Sequence, residues 1–308
     1  MPCLQRTKAS TRRAPLDASL SVAGRPRLEP AVPERSAVTP DTVPLNTVSV
    51  VIPVLDDGPH LRRCLRALAA QTTVADEIVV VDNASTDDSA DIARAAGARV
   101  VFCGERGIPA AAAAGYDAAH GDLILRLDAD SIPEPTWVAS MVDALSDPAV
   151  DAVTGGAVFH DGPVAGRVAM SRAFLGTYAA FAFPALGHTP LWGSNMAFRR
   201  RAWNAVRGEV HVDPELHDDL DLAYHLGRSH RIRFVPGRHM RVSSRTVEPR
   251  RFVRCFRRGA GTVFAHWPGD LPPARWARLV RRRATRADRA REVSASGESR
   301  GSRSGAAR

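Results

Sequence analysis

Residues 47–57 read TVSVVIPVLDD, an apolar run rich in β-branched residues that ends in two aspartates. Such a run favours a strand that is buried on both faces of a parallel sheet. The next segment, 58–71, repeats Leu61, Leu65 and Leu68 at helical spacing, which predicts a helix with one apolar face. These two elements begin a regular alternation of strands and helices.

The alternation continues as far as residue 128. It predicts strands over 77–82, 98–103 and 122–128 and helices over 86–97 and 107–119. Strand-helix-strand order implies right-handed crossovers, so we expect the α/β fold class with a mostly parallel sheet flanked by helices. Beyond Pro133 the predicted elements are a helix over 134–145, a strand over 150–159, a buried or interfacial helix within 164–186, a helix over 217–230, a strand over 231–236 and a basic helix over 249–264.

The net charge of +9 on the 308 residues is unevenly distributed. Residues 47–161 have a net charge of −11 and residues 162–274 one of +9, and we interpret them as two halves of one domain. Residues 1–46, rich in Pro, Arg, Ala and Ser, are predicted to be a disordered extension, and residues 275–308 a basic, largely disordered tail. Because the basic excess is not uniform, we expect no nucleic-acid partner.

The four cysteines are scattered and form no CxxC pair. This argues against a disulfide framework or a zinc site and fits a reducing cytosol. No apolar run reaches the length of about 18 residues that a membrane-spanning helix needs. The amino terminus also lacks the apolar segment of a secretory signal. We therefore expect a cytoplasmic protein, with at most a peripheral position at the inner face of the plasma membrane.

Acidic side chains follow three of the predicted strands. Asp57 comes after the first strand, Asp82 ends the second, and Asp128 and Asp130 follow the fourth. Strand ends of a parallel sheet meet at one edge, where convergent carboxylates repel one another unless a hard divalent cation lies between them. Such a cation could stabilise a diphosphate leaving group. A lone Asp-x-Asp pair can also be two solvated carboxylates.

Six motifs occur in an order and spacing that resemble a family 2 glycosyltransferase with the GT-A fold. The resemblance spans about residues 47–240 and rests on VSVVIPVLDD, AAQT, EIVVVDNASTDDS, GDLILRLDADSIPEPTW, WGSNMAFRR and HDDLDLAYHLGRSHRIRFVP. It implies that residues 47–161 form the half that binds a nucleoside-diphosphate sugar donor. Residues 162–274 would form the half that binds the acceptor, a glycan or a lipid-linked molecule.

The resemblance also implies roles for individual residues. Asp130, together with Asp128, would bind a divalent metal, Mn²⁺ or Mg²⁺. The donor-binding residues would be Pro53, Asp57, Asp82, Asn83 and Asp128.

The segment His217 to Leu222 reads HDDLDL and resembles the family's acidic motif at a helix start. In this register Asp219 is the catalytic base and Asp218 stands on the acceptor side. Acidic residues also favour helix starts for capping and dipole reasons, which could explain part of this motif. Gly193, Ser194 and Asn195 would form a loop that faces the acceptor, or else an ordinary turn.

The chain departs from the family pattern at Ala112 and Ala113, where relatives carry Arg-Asn. Arg106 could replace the lost donor contact, and a catalytically impaired nucleotide-sugar-binding protein stays open as an alternative. No Gln-x-x-Arg-Trp motif is present, which favours a single-addition enzyme over a processive one. A nucleotidyltransferase would carry a Gly-rich loop after the first strand, and a NAD-dependent dehydrogenase a GxGxxG motif; neither is found.

The last predicted helix combines many arginines with aromatic residues. It is either a solvated face over a packed edge or, with Trp267, Trp276 and the Arg281–Arg283 cluster, a surface for an anionic membrane. His239 lies near the place where some relatives have a metal-binding histidine, but its register with them is imperfect, which favours a surface histidine.

Overall fold

The computed structural model describes residues 46–162, 165–237, 240–270 and 272–281. Almost all of the predicted amino-terminal extension and most of the predicted basic tail lie outside these residues. His239 lies outside them as well.

The described residues form ten strands and nine α-helices. The strands are β1 (Val48–Val54), β2 (Glu77–Asp82), β3 (Arg99–Phe102), β4 (Leu123–Arg126), β5 (Ile132–Pro133), β6 (Ala152–Gly155), β7 (Val158–Phe159), β8 (Met196–Arg199), β9 (Ile232–Val235) and β10 (Met240–Val242). The helices are α1 (Gly58–Ala69), α2 (Ser89–Ala95), α3 (Ile108–Ala118), α4 (Trp137–Ala144), α5 (Arg167–Leu186), α6 (Arg200–Val206), α7 (Asp218–Leu226), α8 (Pro249–Ala265) and α9 (272–281). A 3-10 helix, Ser244–Val247, precedes α8.

A seven-stranded sheet with the order β3-β2-β1-β4-β8-β6-β9 forms the centre of the protein. Its pairings are parallel except where β8 runs antiparallel to β4 and β6. A small second sheet has the order β5-β10-β7. The predicted α/β class with a mostly parallel, helix-flanked sheet is thus confirmed.

The central strands bury side chains on both faces because successive residues of a strand point to opposite sides. Val50 and Ile52 of β1 pack in the core cluster that includes the apolar face of α1. Val51 packs in the opposite cluster with α3, whose Gly115 allows the close approach. A Cβ at Gly115 would lie 2.4 Å from Val51 Cγ1, so a larger residue there would push the helix off the sheet.

The segment 150–159, predicted as a single strand, is two strands in two different sheets. β6 belongs to the large sheet and β7 to the small one. At Gly155, the last residue of β6, the backbone packs closely against Asn195: a Cβ there would lie 2.4 Å from Asn195 Nδ2. The short elements β5, β8, β10 and α6 were not predicted, because they carry too few residues for a periodic pattern.

The predicted start of the basic tail at residue 275 is too early. α9 spans 272–281, and Arg275 within it is only 2% exposed. Its guanidinium lies 2.6 Å from the Asp270 carboxylate and donates to the backbone oxygens of Leu186 and Tyr224. These contacts attach α9 to the carboxyl-terminal ends of α5 and α7.

The apolar segment before residue 186 is a helix, as predicted. α5 has 20 residues and accommodates Pro184 in its last turn. Within the described part of the chain, no helix combines the length and the apolar character needed to cross a membrane.

Candidate functional site

The carboxyl ends of β1, β2 and β4 lie side by side at one edge of the large sheet, as the sequence predicts. Val54 of β1 pairs with Asp82 of β2, and Val51 pairs with Arg126 at the end of β4. The loops that follow these strands therefore start together, where ligands bind in open parallel sheets. Pro53 is half-buried inside β1, one residue before the strand ends.

The loops after β1 and β2 are joined by hydrogen bonds and carry unusual backbone conformations. Asp56 and Ala84 adopt positive φ values of 48° and 58°. The Asp56 carboxylate accepts hydrogen bonds from the Thr86 N–H at 2.6 Å and the Thr86 hydroxyl at 3.0 Å. Strained residues of this kind concentrate at ligand sites, so this edge has the character of a binding loop.

Asp82 and Asn83 are both buried at the end of β2. One Asp82 oxygen accepts a hydrogen bond from the Ser85 N–H at 3.0 Å. The Asn83 amide donates to the backbone oxygens of Cys103 and Glu105 and accepts from the Gly107 N–H. Asn83 therefore shapes the loop before α3, and the structure does not support a direct donor contact through its side chain.

Arg245 lies between two of the predicted site carboxylates. One of its guanidinium nitrogens, Nη2, is 2.7 Å from Asp57 Oδ2 and 2.8 Å from Asp130 Oδ2. Burial and the neighbouring Asp128 raise the pKa of Asp130, although Arg245 acts in the opposite direction. Excess negative charge thus collects here, and in this structure the Arg245 guanidinium, not the predicted divalent cation, lies between the carboxylates. Arg245 itself was not singled out, since nothing in the local pattern distinguishes it from the other arginines.

A buried arginine connects the two acidic motifs of the site. Arg126 Nη2 lies 2.9 Å from Asp128 Oδ1 and 3.2 Å from Asp218 Oδ2. Its side chain is 2% exposed and passes directly under Gly193, where a Cβ would be 1.4 Å from Nη1. The signal for Arg126 was available in the sequence, because a charged residue inside the apolar strand LILRL must find ionic partners.

Asp219 is held by three neighbours in the first turn of α7. Its Oδ2 accepts a hydrogen bond from the Gly193 N–H at 2.7 Å, and its Oδ1 accepts one from the Tyr178 hydroxyl at 3.2 Å. His217 Nδ1 lies 2.5 Å from Oδ1. The carboxylate is therefore well oriented, which is a requirement for a group that takes a proton from a bound hydroxyl.

The pKa values of the two adjacent aspartates move in opposite directions. Burial raises the pKa of Asp218, and the attraction of Arg126 only partly offsets this. Burial would also raise the pKa of Asp219, but its interactions with His217, Arg126 and the Gly193 N–H together outweigh burial and lower it. Asp219 is therefore ionised at neutral pH, the form that a general base requires.

The predicted acceptor loop, residues 193–195, divides into two parts. Gly193 and Ser194 line the cleft described below, and the Ser194 hydroxyl donates to Asp128 Oδ2 at 2.5 Å. Asn195 does not face an acceptor, which corrects the prediction. It is fully buried, accepts from Trp137 Nε1 at 2.8 Å and donates to the Gly156 oxygen at 2.8 Å.

A cleft of about 250 Å³ opens beside these carboxylates. Asp128, Asp218 and Asp219 line it, together with aromatic side chains that include Trp192. α8 contributes Arg251, Arg254 and Arg258 to the lining. The cleft thus combines proton-accepting groups with fixed positive charge.

The alanines that depart from the family pattern lie on α3. Ala112 is 2% exposed and packs in the core, and the half-buried Ala113 packs against the same cluster. Arg106 precedes α3 and donates to the Ala84 oxygen at 3.4 Å, so it contacts the loop after β2.

Comparison with curated proteins finds relatives over part of the chain. The chain is 32% identical over 126 residues to glycosyltransferase AglE of Haloferax volcanii, a match that covers 38% of this chain and 41% of the relative. It is 36% identical over 110 residues to the undecaprenyl-phosphate 4-deoxy-4-formamido-L-arabinose transferase of Pseudomonas aeruginosa, covering 32% of each. The matches therefore span well under half the length of these relatives.

Solved structures share the fold over a larger part of the chain. Glucosyl-3-phosphoglycerate synthase from Mycobacterium tuberculosis, in complex with Mn²⁺, UDP and glucosyl-3-phosphoglycerate, has a TM-score of 0.53 at 23% identity and covers 71% of this chain and 79% of its own. A structure of that enzyme with Mg²⁺ and UDP has a TM-score of 0.54 at 22% identity, covering 73% and 85%.

The model of the family described as glycosyl transferase family 2 matches residues 49–207. This segment contains the strand ends, both members of the Asp-x-Asp pair and the loop over Arg126. Since it makes up more than half of the sequence, the chain belongs to glycosyl transferase family 2.

Proposed function

We propose that this protein is a metal-dependent, inverting and non-processive glycosyltransferase. It would move one sugar from a nucleoside-diphosphate sugar to a hydroxyl group of a glycan or lipid-linked acceptor. The observation that carries the proposal is the double ion pair of Arg126, at 2.9 Å to Asp128 and 3.2 Å to Asp218. It joins the motif proposed for the donor to the motif proposed for the acceptor at a single cleft.

In this proposal Asp219 removes the proton from the acceptor hydroxyl. The oxygen then attacks the anomeric carbon from the side opposite the diphosphate, so the configuration inverts in one displacement. Tyr178 and the Gly193 N–H fix the carboxylate at 3.2 and 2.7 Å, and this positioning supplies part of the rate.

The donor would lie over the loops at the ends of β1, β2 and β4. Asp57 and Asp82 are proposed to hold the nucleoside, and Asp128 the ribose. Pro53 and Asn83 would shape these loops. Residues 47–161 would then be the donor half of the domain and residues 162–274 the acceptor half.

Asp128 and Asp130 would hold the divalent metal. The site fits a cation because Asp57 and Asp130 already enclose the Arg245 guanidinium, with 2.7 and 2.8 Å contacts. A bound Mn²⁺ or Mg²⁺ would neutralise the donor diphosphate as it leaves. Arg245 would have to give up its contact with Asp130 Oδ2 if the metal uses that oxygen.

The acceptor proposed here carries a phosphate or carboxylate group near its reacting hydroxyl. Arg254 and Arg258 line the cleft and have no ionic partner among the residues that the structure describes. The Nε of Arg258 is buried without a hydrogen-bond acceptor there. Guanidinium groups left in this state favour an anionic ligand. The name of one relative, an undecaprenyl-phosphate 4-deoxy-4-formamido-L-arabinose transferase, also includes a phosphate-bearing molecule, which supports this proposal.

An anionic membrane surface is the proposed location of a lipid-linked acceptor. Phe252 and Phe256 of α8 pack inward against each other and against Phe174 and Phe181. The end of α8 and the residues after it differ, since they expose apolar side chains: Phe264 is 68% exposed and Trp267 is 60% exposed. Basic residues flank this segment in the sequence, with Arg257 and Arg258 before it and Arg278 and Arg281 after it, a combination found in surfaces that attach peripherally to lipid.

A thermal-shift experiment with nucleotides tests the function. We expect one nucleoside diphosphate, and its sugar ester, to raise the melting temperature in the presence of Mn²⁺, because a ligand that binds the folded state stabilises it. Asp130→Asn should remove the Mn²⁺-dependent part of the shift. Asp143→Asn, at an exposed position on α4, is the matched control and should keep it.

Two results separate the proposal from its alternative. A stabilising nucleotide sugar that is neither hydrolysed nor transferred would favour the impaired binding protein that Ala112 and Ala113 suggest. The absence of any nucleotide-dependent shift would contradict both functions.

A further inference from the structure

Four side chains that the proposed reaction does not use converge around α7. They are His211 from the segment before α7, Asp221 and His225 on α7, and His266 directly after α8. Their ligand atoms all lie within 4.8 Å of one another. All but His211 are buried, and none of the four lines the cleft.

The distances within this His211–Asp221–His225–His266 cluster match the edges of a metal coordination polyhedron. His266 Nε2 lies 3.3 Å from His225 Nε2 and 3.4 Å from Asp221 Oδ1. His225 Nε2 lies 3.7 Å from Asp221 Oδ2. Ligand atoms bound tetrahedrally at about 2.0–2.1 Å from zinc are separated by about 3.3 Å. His211 Nδ1 is closer, at 2.7 Å from Asp221 Oδ1, which is a hydrogen-bond distance.

The hydrogen bonds of His266 determine which of its nitrogens is free. Its Nδ1 lies 2.8 Å from the Thr262 carbonyl oxygen, and because a carbonyl can only accept, Nδ1 carries the proton. The Nε2 lone pair is thus directed toward a carboxylate and a second imidazole, an arrangement that a cation would stabilise.

The second nitrogen of His225 is also oriented as in a metal site. Its Nδ1 is buried without a hydrogen-bond acceptor at good geometry, and the nearest carboxylate, Glu209 Oε2, is 3.5 Å away. Metal-bound histidines usually direct their other N–H at a carboxylate or a backbone carbonyl, which fixes the tautomer. Glu209 and the Thr262 carbonyl would play these parts for His225 and His266.

We propose that His211, Asp221, His225 and His266 bind a structural divalent transition metal, with Zn²⁺ as the best match. The ligands would be His211 Nδ1, one Asp221 oxygen and the Nε2 atoms of His225 and His266. Binding at His211 Nδ1 displaces the proton that faces Asp221: a neutral ring keeps one proton as the Nε2–H tautomer, and a protonated ring releases one proton to solvent. Four protein ligands leave no open position, so the ion would hold α8 against α7 and take no part in transfer.

Neither the scattered cysteines nor the histidine spacing suggested this site. The local signal is the Asp221–His225 pair, which stands four residues apart on one helix face. His211 and His266 reach it only through the tertiary fold.

Metal content of the full chain, purified without a histidine tag, is the test. After stripping with a chelator, the protein is given Zn²⁺, passed through gel filtration and measured by elemental analysis. We expect about one tightly held ion per chain, as for a closed structural site. Co²⁺ in its place should give the strong visible absorption of tetrahedral coordination. Zn²⁺ should also raise the melting temperature of the stripped protein.

Variants identify the ligands. His211→Ala should lose the bound ion, the absorption and the shift; its side chain is 41% exposed, so truncation there leaves the core intact. His120→Ala, at a 78% exposed side chain, is the matched control and should keep all three. Asp130→Asn should keep them too, which separates this ion from the one proposed for transfer. A wild-type chain that retains no metal, or a His211→Ala chain that retains it fully, would overturn the proposal.

Discussion

At the scale of single residues, the site depends on how closely Gly193 lies over Arg126. A Cβ at Gly193 would come within 1.4 Å of Arg126 Nη1, and the guanidinium cannot move without losing Asp128 or Asp218. The glycine is therefore required for close packing.

Gly193→Ala should destabilise the protein by about 1–3 kcal/mol, the usual cost of overpacking, and should abolish transfer. Urea denaturation and a transfer assay measure the two effects. Gly176→Ala on α5 is the control: nothing lies within 4 Å of its Cβ, so we expect a gain of about 0.5–1 kcal/mol. Equal stability of the two variants would contradict the packing argument.

The adjacent aspartates at the start of α7 can be distinguished by mutation. Asp219→Asn should lower kcat by about 10²–10⁴-fold, the contribution of a general base, while donor binding is unchanged. Asp218→Asn leaves the Asp219 carboxylate in place and removes only one ionic partner of Arg126, so kcat should fall less in this variant than in Asp219→Asn. Steady-state kinetics of both variants show which of the two aspartates is the general base. If Asp218→Asn is the inactive variant, the base is Asp218.

Glu77 links stability to pH. Burial alone would raise its pKa, but hydrogen bonds from Ser49, the His120 N–H and Arg99 outweigh burial and lower the pKa to about 2, from an ordinary value of 4.5. Because the pKa of Glu77 is lower in the folded than in the unfolded protein, its ionised carboxylate stabilises the fold at pH values above the unfolded-state pKa. This contribution to the free energy of unfolding is lost as the pH falls toward 2.

The difference in unfolding free energy between wild type and Glu77→Gln should therefore be largest above about pH 4.5 and shrink at lower pH. Urea titrations at pH 7, 4 and 3 would measure it. Glu105→Gln changes an exposed carboxylate that has no ion pair in the described structure, and it should show no such trend. If the difference in unfolding free energy between wild type and Glu77→Gln instead grows as the pH falls, the lowered pKa of Glu77 is contradicted.

At the scale of elements, α8 presents two surfaces with different consequences. Its aromatic residues pack inward, whereas Arg254 and Arg258 line the cleft. A hydrogen bond to a charged group contributes about 1.5–3 kcal/mol.

Arg254→Gln and Arg258→Gln should each raise the KM for an anionic acceptor by about tenfold or more and leave the KM for the donor unchanged. Arg250→Gln removes the same charge from an exposed position of α8 that does not line the cleft, so it is the control. Initial rates with each substrate varied in turn provide the measurement. An equal effect of all three variants would indicate only a general loss of positive charge.

At the scale of the whole molecule, the two halves carry opposite charge, −11 over residues 47–161 and +9 over residues 162–274. In the proposed function the first half would use a cation to bind the anionic donor, and the second half would attract an anionic acceptor or a lipid surface directly.

Cosedimentation with phosphatidylglycerol vesicles tests whether the basic half binds an anionic lipid surface. We expect the full chain to bind at low salt and to be released at high salt, since surface attraction is screened. Phe264→Ser and Trp267→Ser should weaken binding, whereas Val74→Ser, at a 76% exposed position in the acidic half, should not. Binding that resists both salt and these changes would place the contact elsewhere.

Most of the central sheet could be predicted from the sequence because strand and helix periodicity are local properties of the chain. β1, β2 and β4 have continuous apolar runs, and the parallel order brings their acidic ends to one edge. The short strands β5 and β10 have no such pattern, since their pairing depends on partners far away in the sequence.

The local pattern of apolar and acidic residues was thus enough to predict the fold class, the strand ends and the acidic start of α7. Only the tertiary structure decides what each side chain contacts. Arg245 reaches Asp57 across 188 residues, Arg126 joins Asp128 to Asp218, and Asn195 turns inward to Trp137. These contacts arise when distant segments pack together and buried charges must find partners, which no window of sequence contains.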